Sequence, residues 1–71
     1  GKPNGLGSLI YRNGTRYEGE FKEGRWNGNG TFTFPDGEKW VGEFRKDAPW
    51  NINWYNKSGK IIAKWGDGVK Q

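Results

Sequence analysis

Apolar and polar residues alternate in short stretches broken by glycine-bearing turns, and no run of apolar residues exceeds three. Thr31-Phe32-Thr33-Phe34 alternates strictly, as does Trp40-Val41-Gly42-Glu43-Phe44, and Pro35-Asp36-Gly37 lies between them. This is the pattern of two strands joined by a tight loop. Parity selects the loop. A two-residue Asp36-Gly37 loop would put the aromatics of the two strands on opposite faces. A three-residue loop pairs Phe34 with Glu38 and Phe32 with Trp40, so that Phe32, Trp40 and Phe44 share one face and Gly30 stands opposite Gly42. Pro suits the second place of a type I turn, and the glycine that follows suits a left-handed residue.

The hairpin recurs. Tyr17-Glu18-Gly19-Glu20-Phe21 returns 23 residues later as Trp40-Val41-Gly42-Glu43-Phe44. Residues 1–23 laid on 24–46 give eight identities without a gap, most of them glycines: Gly5/Gly28, Gly7/Gly30, Gly14/Gly37 and Gly19/Gly42 among them. Arg12-Asn13-Gly14 repeats the loop in copy one, pairing Leu9 with Tyr17. A degenerate third copy fills 47–71. There Asn51 and Asn53 stand for Gly28 and Gly30, which reads as a demand for positive φ. Ile61–Trp65 match Trp40–Phe44 at an offset of 21, so the third copy is two residues short. Lys57-Ser58-Gly59 pairs Tyr55 with Ile61, which reads as the counterpart of Phe32–Trp40 after the symmetric loss of one cross-strand rung.

The expectation is an all-β domain over residues 1–71, three antiparallel hairpins in one elongated twisted sheet with no helix longer than one turn. Strands are predicted near 7–11, 15–21, 30–34, 38–44, 53–56 and 60–65. The predicted core is Leu9, Tyr11, Tyr17, Phe21, Phe32, Phe34, Trp40, Phe44, Tyr55, Ile61 and Trp65. The mid-strand glycines weaken strands, and their expected use is room for an aromatic ring from a neighbouring strand.

Composition sharpens this picture. Leu, Ile, Val and Phe number only 12 of 71 residues, a level near that of disordered chains, but five Trp, three Tyr and four Phe supply the missing burial capacity. The core remains thin, so neighbours or partners are expected to contribute. The apolar runs are too short for a transmembrane helix or signal peptide. A first residue of Gly rather than Met points to a segment of a longer chain.

Absent residue types bound the chemistry. The chain has no cysteine and no histidine, hence no disulfide, thiolate nucleophile or imidazole base. Ser8 and Ser58 lack a basic partner, and Asp47 and Asp67 lack neighbouring oxygen donors at calcium-loop spacing. We expect no catalytic, cofactor-binding or metal-binding residues.

The span Tyr17–Lys39, YEGEFKEGRWNGNGTFTFPDGEK, resembles a MORN repeat (membrane occupation and recognition nexus): aromatic, x, Gly, x, aromatic, two spaced glycines, then Gly-x-Gly, alternating aromatics and Asp-Gly. Copy one carries the second part of the pattern. Copy three departs from it, with Asp47, Asn51, Asn53 and Ala63 replacing glycines and Pro49 entering, like the final unit of such an array. The resemblance implies successive hairpins without catalytic residues, acting as a protein-interaction scaffold. It also implies an alternative, binding to acidic phospholipid or service as a regulatory segment beside an enzyme such as a phosphatidylinositol phosphate kinase.

Candidate contact residues follow from the repeated polar positions. Lys2, Arg25, Lys22 and Arg45 flank the connections between hairpins, and Arg16 and Lys39 sit on second strands. Equivalent sites about 10 Å apart, two strand spacings, would form a basic ladder suited to phosphates. The alternative is a solvated edge that blocks sheet-to-sheet pairing, diluted by Glu18, Glu20, Glu23 and Glu43. The net charge of +4 fits either use. Nucleic acid is a poorer fit, because the core claims most aromatics that could stack bases. Trp26 and Trp50 fall outside the repeated core and are expected in exposed connections. Each is read either as a contact for a protein partner or a second copy of the chain or as a ring folded over the nearest hairpin, with a lid over the terminal copy preferred for Trp50; self-association through sheet edges or array ends is a separate option.

Overall fold

The computed structural model describes residues 4–71. They form one open antiparallel sheet of seven strands in sequence order: β1 (Gly5–Ile10), β2 (Arg16–Lys22), β3 (Arg25–Thr33), β4 (Lys39–Arg45), β5 (Ala48–Tyr55), β6 (Ile61–Gly66) and β7 (Val69–Lys70). There is no helix among the described residues. The all-β architecture is as the alternation predicts, but β1, β3 and β5 are longer than expected and β7 is an additional strand. The supposed connections between hairpins are hairpins themselves. Glu23-Gly24, Lys46-Asp47 and Asp67-Gly68 are two-residue turns with both residues at positive φ, the pattern of type I′ turns that matches strand twist.

At the opposite end of the strands lie the three-residue loops, at the expected positions. Gly14, Gly37 and Gly59 take positive φ, and Phe34 donates to the Glu38 carbonyl at 2.8 Å while Gly37 donates back to Phe34 at 3.0 Å. Asn13, Asp36 and Asn56 each brace a loop by accepting a backbone N–H two residues on, at 2.9 Å in every case.

Directly opposed residues of a sheet point to one face, so the register gives the faces. One row runs Leu9–Tyr17–Phe32–Trp40–Trp54–Ala63, and the next on the same face runs Gly7–Gly19–Gly30–Gly42–Ile52–Trp65. Large rings in the first row lean across the small residues of the second. A Cβ built on Gly30 would lie 2.5 Å from the Tyr17 hydroxyl oxygen. Tyr17 and Phe44 are wholly buried, Phe32 and Ile52 nearly so, and Phe21, Trp26, Phe34, Trp40, Trp54 and Trp65 pack around them.

Copies one and three correct the predicted core. Leu9, Tyr11 and Ile61, expected in the core, are exposed, and Ile52 and Trp54 are core residues instead. Trp40 opposes Trp54, whereas Tyr55 opposes Lys39 on the other face. The irregularity between β4 and β5 takes one residue fewer than its equivalent between β2 and β3, so Tyr55–Ile61 is the counterpart of Thr33–Lys39, and no rung has been removed. Ile62 then bulges and restores the phase. Asn51 and Asn53 do not take positive φ. What Gly30 supplies is space, and in the third copy Ile52 and Trp65 fill that space themselves.

Candidate interaction surfaces

The aromatic face is built by strand register and by a bulge. Between Gly19 and Phe21 the β2–β3 pairing shifts, placing Trp26 opposite Phe21. Trp26 therefore joins the aromatic face. Its ring stacks on Tyr17 at 5.2 Å with 10° between planes, and lies 4.7 Å from Phe32 and 6.1 Å from Phe44. The Asp47 carboxylate in the β4–β5 turn accepts the Trp26 backbone N–H at 2.8 Å, and Asp47 donates its own N–H to the Trp26 carbonyl at 3.1 Å. The expectation of Trp26 in an exposed connection is thus corrected: it is a half-buried strand residue packed against the core.

One side of Trp26 still borders solvent. With Tyr11, Arg12, Asn13, Thr15 and Phe32 it lines an open, mainly apolar groove beside the first three-residue loop. Tyr11 stands edge-on to Trp26 at 6.4 Å, and Thr15 is buried at the groove floor. Burial and the neighbouring charges of Glu20 and Asp47 push the Tyr17 phenol up to about 12, so this ring stays neutral beneath the face. Its hydroxyl donates to the Glu20 carbonyl at 2.8 Å. Along the same face Trp54 donates from Nε1 to Glu38 at 3.0 Å, and the Lys70 ammonium lies 5.4 Å from its ring.

The basic positions divide between the two ends of the strands. Lys22 and Arg25 are cross-strand partners beside the Glu23-Gly24 turn, and they line one recess with Glu23, Asn27 and Lys46. Lys46 was missed in the sequence, although its place in a repeated turn, equivalent to Glu23, could have found it. Arg16 and Lys39 both oppose Thr33 at the other end, two strand spacings apart, and Arg16 is 3.5 Å from Glu18. Arg45 is diverted: its guanidinium lies 4.2 Å from the centre of the Trp50 ring and 3.6 Å from Glu43. Trp50 in turn covers the β6–β7 turn, so closely that a Cβ on Gly68 would lie 2.7 Å from its ring. Lys2 lies outside the described residues. The ladder expected from the repeat is therefore two separate clusters.

No curated protein matches the chain. A family profile described as MORN repeat matches residues 1–16 and 17–39, more than half of the chain.

Proposed function

The chain belongs to the MORN repeat family, whose repeats form protein- and membrane-interaction modules, and from that premise we propose that it is a non-catalytic scaffold module that contacts a protein partner. One observation carries this reading. The sheet is a single layer, and no second layer among the described residues covers its aromatic face, on which Phe21, Trp26, Phe34, Trp40, Trp54 and Trp65 remain partly exposed. Partly exposed Trp and Tyr rings held rigid by their neighbours lose little entropy on docking, and they are the side chains most often found as binding hot spots. The groove at Tyr11 and Trp26 gives such a contact its entry point.

Photo-crosslinking tests the proposal. A photoreactive phenylalanine analogue is placed at Tyr11, on the groove, or at Val41, on the opposite face, in the full-length protein in its native cells. Protein adducts at Tyr11 that are absent at Val41 support it, and equal labelling at both sites refutes it.

A second reading rests on Lys22, Arg25 and Lys46 sharing one recess. It makes the turn end of the sheet a contact for acidic phospholipid headgroups, with affinity that falls as salt rises.

A further inference from the structure

Asparagine followed by glycine is a chemically reactive pair. The glycine amide nitrogen, unhindered by a side chain, can attack the asparagine side-chain carbonyl carbon, closing an imide ring and releasing ammonia. Four such pairs occur: Asn4-Gly5, Asn13-Gly14, Asn27-Gly28 and Asn29-Gly30. Asn4-Gly5 opens β1 beside residues outside the described span. The other three differ in what their backbone is free to do. Asn27 and Asn29 lie within β3, which is paired on both sides. Gly30 opposes Gly19 on one side and Gly42 on the other, and the Tyr17 ring lies over it. The Glu20 carboxylate packs against Gly28 and accepts the Asn29 N–H at 2.6 Å. Closing an imide at either pair would turn a peptide plane at the centre of the sheet, and such strands open only with the fold itself.

Asn13 is placed otherwise. It stands exposed in the first three-residue loop, and among the described residues nothing lies within 4 Å of a Cβ built on Gly14. The Gly14 nitrogen is held by a hydrogen bond to the Tyr11 carbonyl at 3.1 Å, which a local opening of the loop releases. Asn13 Oδ1 accepts the Thr15 N–H at 2.9 Å. That donor points at the oxygen on which negative charge develops when Cγ is attacked, so the fold steadies the step as it holds the loop. The other two loops lack the reaction. Asp36-Gly37 takes the second, where the Asp36 carboxylate accepts the Glu38 N–H at 2.9 Å and is itself a poor target for a nucleophile, and Ser58-Gly59 takes the third.

We propose that Asn13 is a site of spontaneous deamidation, which ages the first loop into two forms with opposite consequences. The Gly14 nitrogen gives its proton to solvent base and bonds to Asn13 Cγ, the Cγ–Nδ2 bond breaks, and ammonia leaves. One water then opens the imide. Cleavage at Cγ leaves an aspartate at position 13 on the normal chain. Cleavage at the main-chain carbonyl leaves isoaspartate, with the chain running through the former side chain and one more atom in the loop. The aspartate form should keep the loop, because Asp36 fills the equivalent place with the same hydrogen bond. Isoaspartate lengthens a loop that sets the Leu9–Tyr17 register, and it gives up the bond to Thr15. The hairpin should then fray between Tyr11 and Thr15, which are joined at 2.8 Å and line the groove with Asn13. This chemistry does not depend on what the groove binds.

The test incubates the full-length protein at mildly alkaline pH, digests it and maps the peptides by mass spectrometry, with isoaspartate located by enzymatic methyl labelling. The peptide holding residue 13 should gain one mass unit at a rate that rises with hydroxide. That rate should exceed the rate for the peptide holding Asn27 and Asn29 by about tenfold or more. Asn13→Gln, which would have to close a larger ring, should abolish the gain at that position. Asn13→Asp should melt with the unmodified chain, while the separated isoaspartate form should exchange its Tyr11 and Thr15 amides faster. A position 13 that stays unmodified while a blocked peptide of residues 11–17 converts overturns the proposal, as does equal modification at Asn27 or Asn29. Isoaspartate with unchanged exchange at Tyr11 and Thr15 overturns the consequence assigned to the loop.

Discussion

The Tyr17 ring crosses from β2 to lie against the backbone of Gly30 on β3, close enough that a single methyl group on Gly30 would overlap its phenol carbon Cζ at 2.7 Å. Tyr17 is wholly buried and held by Phe21, Trp26 and Phe44 around it, so it has no room to withdraw. Gly30→Ala should therefore destabilise the domain by about 1–3 kcal/mol, the usual cost of overpacking a close-packed site. Urea unfolding followed by Trp fluorescence measures it.

Trp26→Ala removes the ring stacked on Tyr17 and opens a hole between Phe32 and Phe44. A loss of about 2–4 kcal/mol is expected, slightly under the range for fully buried Trp because one side of the ring borders solvent. Trp26→Phe should recover much of it. Thermal melts of the two variants decide whether Trp26 belongs to the core.

Tyr17 also sets a pH dependence. Its folded-state value of about 12 lies above the 10.0 of a free phenol, mainly because burial disfavours the phenolate and secondarily because Glu20 and Asp47 are negative. The folded form thus holds its proton more tightly than the unfolded form, so the contribution is complete below pH 10 and is lost as pH rises toward 12. Absorbance at the phenolate band should show one tyrosine, Tyr17, ionising above the free-phenol value, and Tyr17→Phe should flatten the alkaline fall in stability.

Lys46 sits at φ 49° and Asp47 at φ 66° in a two-residue turn without glycine. Asp47 holds its place through the Trp26 backbone, but the Lys46 side chain lines an exposed recess. Asn tolerates the left-handed region better than Lys, and Lys46→Asn should stabilise the domain by about 0.5–1 kcal/mol. A shifted urea midpoint at unchanged slope is the expected result.

For the lipid reading, reversing Lys22, Arg25 and Lys46 to Glu together should release the chain from anionic liposomes at low salt. Reversing Arg45, already engaged with Trp50 and Glu43, should have a smaller effect. Flotation across a salt series separates the two.

Hairpin parity made the first two copies legible. Phe32–Trp40, Leu9–Tyr17 and Gly30–Gly42 pair as the alternation requires, since a one-residue slip would turn every ring to the wrong face. The third copy is not legible this way, because a two-residue shortfall has the same outward pattern whether a rung or a residue of an irregularity is lost. A bulge can absorb a residue without altering local alternation, and here it moves Trp54 and Ile52 into the core and Tyr55 out of it. Trp26 escaped for the same reason: its alignment with Pro3 says nothing about a shift of register that brings it opposite Phe21. The basic residues were visible, but Lys22, Arg25 and Lys46 meet only because the connections are tight turns and not loops.

Among the described residues every strand is hydrogen-bonded only to its neighbours in the sequence, and β1 and β7 lie on opposite sides of the sheet. Tension applied to the two ends of the chain would therefore act across the ladders, opening hydrogen bonds one after another and not shearing many at once. The module should extend at low force by losing hairpins in succession, each unit depending chiefly on the one beside it. A tether made this way would lengthen under load and shorten again on release, with the outermost strands yielding before the ring-packed centre at Tyr17 and Phe44.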